Sequence, residues 1–236
     1  MKNLISVIIM IFTSHTFAET KGFDLIGISK IEVNNTSGVV NVTAVDTGKA
    51  TVIPTKKKFG DHCKMTIDKK GNTLLVEVEK TGIYKKDCEV DFNITAPRSV
   101  VLDLDSGSGD LKIKGTRGDL SFGVGSGTVE VDAEVKNLDG KSGSGNISII
   151  GLTSGGSLKT GSGQINLVYK VAPLPGELHI NTGSGDAEIS LPKTAKVRTS
   201  FITGSGELTN ELGDSPDSKF KISMMAGSGD LHIKKQ

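Results

Sequence analysis

The sequence predicts an all-β chain wound as a β-solenoid. Three observations predict it. The tripeptide Gly-Ser-Gly recurs seven times, beginning at Gly107, Gly125, Gly143, Gly161, Gly183, Gly204 and Gly227, at spacings of 18, 18, 18, 22, 21 and 23 residues. Spacings of this length match one solenoid coil, a unit too small to bury a hydrophobic face until it is stacked on its neighbours. Between the motifs apolar residues alternate with polar ones at the strand period, and no amphipathic helical run follows the first twenty residues. Composition agrees: 30 of 236 residues are Gly, aromatics are 4% and Trp is absent, which suits thin aliphatic layers and excludes a large core of rings.

Residues 1–18 read as a signal peptide. Lys2 is the basic start, Leu4 to Phe12 the apolar centre, and Thr16-Phe17-Ala18 a small-residue cleavage site, so the exported chain begins near Glu19. A membrane anchor needs about 20 apolar residues, and Ser14, His15 and Thr16 interrupt the run. No cysteine stands at the cleavage point, which argues against a lipoprotein. No later stretch has the length and apolarity of a transmembrane segment.

Residues 19–236 read as the solenoid. Over 19–105 the coils are irregular, with strands at Ile31-Glu32-Val33, Val40-Asn41-Val42, Leu74 to Val78 and Val90 to Ile94. Turn signals separate them at Asn35-Thr36-Ser37-Gly38, Lys69-Lys70-Gly71-Asn72 and Ala96-Pro97. No Pro-, Ser- or Gly-rich linker divides this part from the rest. Its cysteines, Cys63 and Cys88, are the only two in the chain. In an oxidising compartment they are expected to pair as a structural disulfide. A metal or redox pair calls for closer spacing or further ligands.

Over 106–236 the Gly-Ser-Gly coils align in columns. Leu102, Leu120, Leu138, Leu178 and Ile222 stand five residues before a motif, and Leu104, Phe122, Leu158, Ile180, Phe201 and Met224 stand three before. Small residues such as Ser106, Ser142 and Thr160 come immediately before it. Strand parity puts all three columns on the inner side, together with the motif serines Ser108, Ser126, Ser144, Ser162, Ser184, Ser205 and Ser228. These serines are expected to form a buried ladder in a narrow corner, their hydroxyls bonding one another or the backbone. Past each motif the apolar pairs Leu111/Ile113, Val129/Val131, Ile147/Ile149, Ile165/Leu167, Ala187/Ile189 and Leu231/Ile233 lie on the other parity, so a bend must intervene.

The residue after each motif is polar in every copy: Asp110, Thr128, Asn146, Gln164, Asp186, Glu207 and Asp230. Stacking would bring Asp186, Glu207 and Asp230 into a short acidic ladder, a candidate cation site, although a solvated edge is the expected reading. No other metal site is expected, and no cofactor. The Gly-rich phrases lack the Lys-Ser or Lys-Thr of a phosphate loop and precede strands rather than helices.

Catalysis is not expected. The histidines that follow the leader, His62, His179 and His232, are scattered, and no serine phrase resembles a nucleophile elbow. With 28 Lys and Arg against 27 Asp and Glu, loss of Lys2 with the leader leaves no net charge to steer nucleic acid. Lysines do gather at Lys56-Lys57-Lys58, Lys69-Lys70 and Lys85-Lys86, where they serve solubility and block edge pairing.

The leader, the irregular strands running to Thr95-Ala96-Pro97, the segment Val100 to Leu104 and the reiterated Ser-Gly-Ser-Gly-Asp-Leu-Lys-Ile resemble the "putative adhesin" family of bacterial envelope proteins. These domains are related to the head domain of autotransporter adhesins. The resemblance covers nearly all of the exported chain. It implies a single-stranded, right-handed parallel β-helix in an envelope location: periplasmic, associated with the outer membrane, or secreted. The function read from the sequence is a non-enzymatic scaffold or adhesin-like binding surface whose partner is an envelope protein or a polysaccharide. The alternative is a polysaccharide lyase or hydrolase on the same fold.

Overall fold

The computed structural model describes residues 23–82 and 86–236; the expected leader lies outside them. Alternating aliphatic and β-branched residues form twenty-one strands and no helix among the described residues. The N-terminal strands are β1 (Phe23–Ile26), β2 (Lys30–Ser37), β3 (Val40–Val45), β4 (Lys49–Lys58), β5 (Cys63–Lys70), β6 (Thr73–Lys80) and β7 (Glu89–Pro97). The repeats contribute β8 (Val101–Ser108), β9 (Leu111–Lys114), β10 (Leu120–Ser126), β11 (Val129–Val135), β12 (Leu138–Ser144), β13 (Ile147–Leu152), β14 (Gly156–Ser162) and β15 (Ile165–Val168). They continue with β16 (Gly176–Ser184), β17 (Ala187–Leu191), β18 (Arg198–Ser205), β19 (Leu208–Asn210), β20 (Phe220–Ser228) and β21 (Leu231–Lys235).

The strands make two mixed sheets. One holds eleven strands in the order β1-β4-β7-β3-β9-β11-β13-β15-β17-β21-β19, the other ten in the order β18-β20-β16-β14-β12-β10-β8-β2-β6-β5. Each Gly-Ser-Gly ends a strand of the ten-stranded sheet, and the chain then turns into the eleven-stranded one. Across the repeats every pairing is parallel, with Leu120 between Leu102 and Leu138 and Val129 between Leu111 and Ile147, and the register slips only between β11 and β13, past Asp132. The extra residues of the 22-, 21- and 23-residue repeats fall at the opposite corner, in 169–175, 192–197 and 211–219, where insertion disturbs neither sheet.

Two features depart from a simple succession of parallel coils. In the N-terminal part β4 runs antiparallel to β1 and β7, and β5 antiparallel to β6. The β5–β6 link is a two-residue hairpin in which Gly71 takes a φ of 63°, a value that glycine adopts without strain. The stacking order also differs from the chain order at both ends. β2 and β3 lie inside β6 and β7, and the last coil, β20 with β21, is inserted between β16/β17 and β18/β19. Side-chain chemistry explains the second exchange. Leu231 and Ile233 fill an inner layer completely, whereas the matching positions of the sixth repeat are Leu208 and Asn210, and an inner layer there would bury an amide.

The core is the narrow space between the sheets. Leu102, Leu104, Leu111 and Ile113 form one layer, and their counterparts in each following coil repeat it. Burial of each such side chain contributes roughly 1.5–3 kcal/mol. Where Gly140 interrupts the inner column, the Phe122 ring and Leu158 from the flanking coils occupy the space that a side chain at 140 would need. Among the described residues the largest polar side chain inside is Tyr169, packed edge-on to Phe220 with ring centroids 5.6 Å apart, its hydroxyl donating to the Ser154 carbonyl at 3.0 Å. Burial pushes its phenol well above the ordinary range.

Candidate functional site

The repeated corner is the most regular feature of the surface. In each motif the hydrogen that replaces a side chain on the glycine Cα faces a backbone carbonyl oxygen of the neighbouring coil, a glycine's in every case but Gly107, which faces Thr36 O. A Cβ on the first glycine of any motif would stand no farther than 2.7 Å from a backbone oxygen, and on the second glycine closer still. Coils therefore approach through Cα–H···O contacts that only glycine permits. Gly145 has in addition a φ of 131°; Gly143 has an ordinary φ and is required by the close approach alone.

The motif serines do form a ladder, but it faces outward. Ser108, Ser126, Ser144, Ser162, Ser184, Ser228 and Ser205 pair coil to coil in that spatial order, and all are exposed except Ser162, which is half-buried. The expected buried column sits one step earlier, at Ser106, Val124, Ser142, Thr160 and Thr182. Parity placed the serines inward on the assumption that the strand continues straight through the motif. The strand instead ends at the serine, with a positive-φ glycine directly after it in six of the seven motifs, so the serine stands at the corner and outside the core. An eighth corner, Thr36-Ser37-Gly38, extends the row, with Ser37 opposite Ser108. Its sequence signal was the Ser-Gly that shares the motif's last two residues.

The polar column after the motif carries hydrogen bonds from coil to coil. Asp110 Oδ1 accepts from Thr128 N at 2.9 Å, and Asn146 Oδ1 from Gln164 N at 3.0 Å. Asp186 Oδ1 accepts from Asp230 N at 2.9 Å, and Asp230 Oδ1 from Glu207 N at 2.8 Å. The acidic ladder therefore runs Asp186, Asp230, Glu207, because the last coil is inserted, and two of its carboxylates are engaged as acceptors of backbone N–H groups. Asp91 repeats the device at the N-terminal end by accepting from Val39 N at 2.9 Å.

Cys63 and Cys88 are disulfide-bonded, with Cα atoms 5.7 Å apart. The bridge fixes the end coil where the chain passes from β6 to β7 and no Gly-Ser-Gly is present. His62 stands beside it, and among the described residues this is the one group of metal-ligating side chains. Both of its sulfurs are held in the disulfide. Of the clustered lysines, Lys57 pairs with Asp91 at 3.4 Å and Lys58 with Glu89 at 2.8 Å, while Lys56 lies 4.3 Å from the centre of the Phe59 ring. Lys85 lies outside the described residues. Other charges bridge coils, Lys234–Glu188 at 2.7 Å between neighbours and Lys170–Asp132 at 2.8 Å across the intervening β13. No helix among the described residues is long and apolar enough to cross a membrane.

Two concavities stand out. One, of about 490 Å³, lies at the corner opposite the motifs, among Arg98, Lys114, Arg117, Glu134 and Val171. Arg98 is held there by Asp46, which the guanidinium keeps below the usual carboxylate range. The other, of about 820 Å³, is a long groove on the outer face of the ten-stranded sheet beside the motif corner, crossing β12, β14, β16, β20 and β18.

Solved structures with a similar overall course include a "putative adhesin" from Parabacteroides merdae, 13% identical, with a TM-score of 0.47 over 92% of this chain and 91% of that one. A "putative cell adhesion protein" from Clostridium sporogenes is 17% identical, with a TM-score of 0.39 over 92% and 100%. A "putative lipid binding protein" from Parabacteroides distasonis is 18% identical, with a TM-score of 0.40 over 92% and 96%. No curated protein matches the chain. The model of the Toastrack DUF4097 family matches residues 83–234, well over half of the chain, and on that match the protein belongs to the Toastrack family.

Proposed function

We propose that this protein is a non-enzymatic, extracytoplasmic module of the bacterial envelope that presents its corner as a binding or scaffolding surface. It is a single-stranded, right-handed parallel β-helix closed at its N-terminal end by hairpins, and it serves as a head-like domain of the kind found in autotransporter adhesins. The observation that carries the reading is the row of in-register serines, Ser37 through Ser205, on a ridge where all but Ser37 and Ser162 are exposed. A row of identical donors and acceptors at the inter-strand spacing of about 4.8 Å suits an extended partner with a repeating polar chemistry, such as a polysaccharide. The disulfide fits export to an oxidising compartment.

The test is retention of the purified protein on isolated cell envelopes. The triple substitution Ser126→Arg, Ser144→Arg, Ser162→Arg should abolish retention, while Lys112→Glu on the opposite sheet should leave it unchanged. Equal retention of both variants would sink the ridge as the binding surface. Release of reducing ends from envelope polysaccharide would replace the reading with an enzymatic one.

A further inference from the structure

The groove beside the motif corner has an order that the repeated architecture alone does not require. Two residues before each motif one side chain points outward, and parallel register fixes the sequence of these side chains along the stack. The sequence runs Asp105, Gly123, Lys141, Lys159, Asn181, Met225, Ile202. Acid gives way to base, then to amide, then to aliphatic side chains. Met225 and Ile202 are 53% and 61% exposed, among the most exposed large apolar residues described.

The groove occupies the part of this column from Lys141 to Ile202, with motif glycines such as Gly161 and Gly183 along it. Asp139 stands two residues from Lys141 on the same strand face, but the nearest outward side chains around Lys159 are Lys141, Ser157 and Asn181, and Lys159 forms no ion pair among the described residues. From Lys159 to Ile202 there are three inter-strand steps, about 14 Å.

We propose that this groove binds a single-chain anionic amphiphile lengthwise, with its headgroup at Lys141 and Lys159 and its tail over Met225 and Ile202. A uniform polymer would match a uniform column, whereas this column is polarised end to end. Asp105 and Asp103 close the basic end with negative charge and stop an anionic headgroup at the lysines. At the other end β18, the edge strand of the ten-stranded sheet, leaves the tail an open exit along the stack. The proposal deepens the binding-surface reading by naming a ligand class for the face adjoining the serine ridge.

The test is calorimetric titration of the purified protein with dodecyl phosphate below its micellar concentration; the dodecyl chain spans the distance from Lys159 past Ile202. Saturable one-to-one binding is expected, with dodecyltrimethylammonium and inorganic phosphate giving none. Lys141→Glu with Lys159→Glu should weaken binding at least tenfold, as should Met225→Ser with Ile202→Ser. All four positions are on the outer face, and unchanged circular dichroism melts confirm that the variants are folded. Equal binding of both amphiphile signs, undiminished binding by either double variant, or binding to anionic phospholipid vesicles without binding of the monomer would overturn the groove. Loss of dodecyl phosphate binding with envelope retention intact would overturn the groove alone and leave the ridge in place.

Discussion

Replacing Gly143 with alanine adds a single methyl group at the centre of the array. That methyl carbon would stand 2.5 Å from Gly125 O, about 0.9 Å inside ordinary contact, and the atom it meets is backbone, which cannot rotate away. The coils must part locally. Overpacking of this kind costs about 1–3 kcal/mol, and the adjoining pairs Val124–Ser142 and Ser126–Ser144 stand to lose ladder hydrogen bonds at about 1 kcal/mol each. The expected loss is about 3–5 kcal/mol, a fall in melting temperature of roughly 6–20 °C for a chain of this size. Ser144→Ala, one residue on, removes an exposed hydroxyl and should change stability by no more than about 0.5 kcal/mol. Thermal melts followed by circular dichroism compare the two, and amide exchange locates the damage, with protection lost first on β10 and β12. If Gly143→Ala melts with the parent protein, the close approach of coils is not what requires glycine, and the motif must be explained by recognition instead.

Reducing the Cys63–Cys88 bridge opens a loop of 25-residue separation and should cost on the order of 3 kcal/mol, read as a lower denaturation midpoint in dithiothreitol that a Cys63→Ala, Cys88→Ala variant reproduces without reductant. Asp230→Ala removes the acceptor for Glu207 N and should cost roughly 0.5–1.5 kcal/mol, while calcium should leave the parent melt unchanged; a calcium-dependent rise lost in the variant would restore the acidic ladder as a cation site. Burial foremost, and then Asp103, raise the Asp105 carboxyl above its ordinary value against the opposing pull of Lys141. A carboxyl raised in the folded state stabilises the fold below its unfolded value and loses that contribution as pH rises through the folded one. Asp105→Asn should therefore be neutral to stabilising at pH 7 relative to its effect at pH 3, and the opposite trend in melts at the two pH values would refute the assignment.

Much of the stack was legible because its inner columns are set by a two-residue period that sequence displays directly. Leu102, Leu104, Leu111, Ile113 and their counterparts are buried where alternation placed them. The orientation of the serines was not legible, since parity predicts a face only while the strand stays extended, and the corner that opens at the serine leaves no mark distinct from the motif itself. The reason for the glycines was likewise hidden. Alignment shows that Gly143 recurs, but the oxygen that excludes a side chain belongs to another coil. Gly140 and Phe122 make the same point inside the core, where a gap in one coil is filled by a ring from the next. The placement of the last coil had a faint signal in Leu208 and Asn210, the one repeat without an apolar pair after its motif. The groove needed the true stacking order, because Met225 and Ile202 become its apolar end only once β20 is set inside β18.

That insertion bears on how the polypeptide reaches its final state after synthesis. Residues 220–235 lie between two segments that precede them in the chain, so adding each new coil to the end of the nascent stack cannot reach the final order. Residues 198–210 arrive first at the surface of β16 and β17, and Gly204 can meet Gly183 there as readily as Gly227 does in the finished fold. A premature arrangement of this kind must open again to admit the tail. Once in place, residues 220–235 are held by hydrogen bonds on both sides, to β16 and β17 and to β18 and β19. Pulling that coil out must break two interfaces at once, whereas β18 and β19, at the edges of the two sheets, can peel away by breaking one.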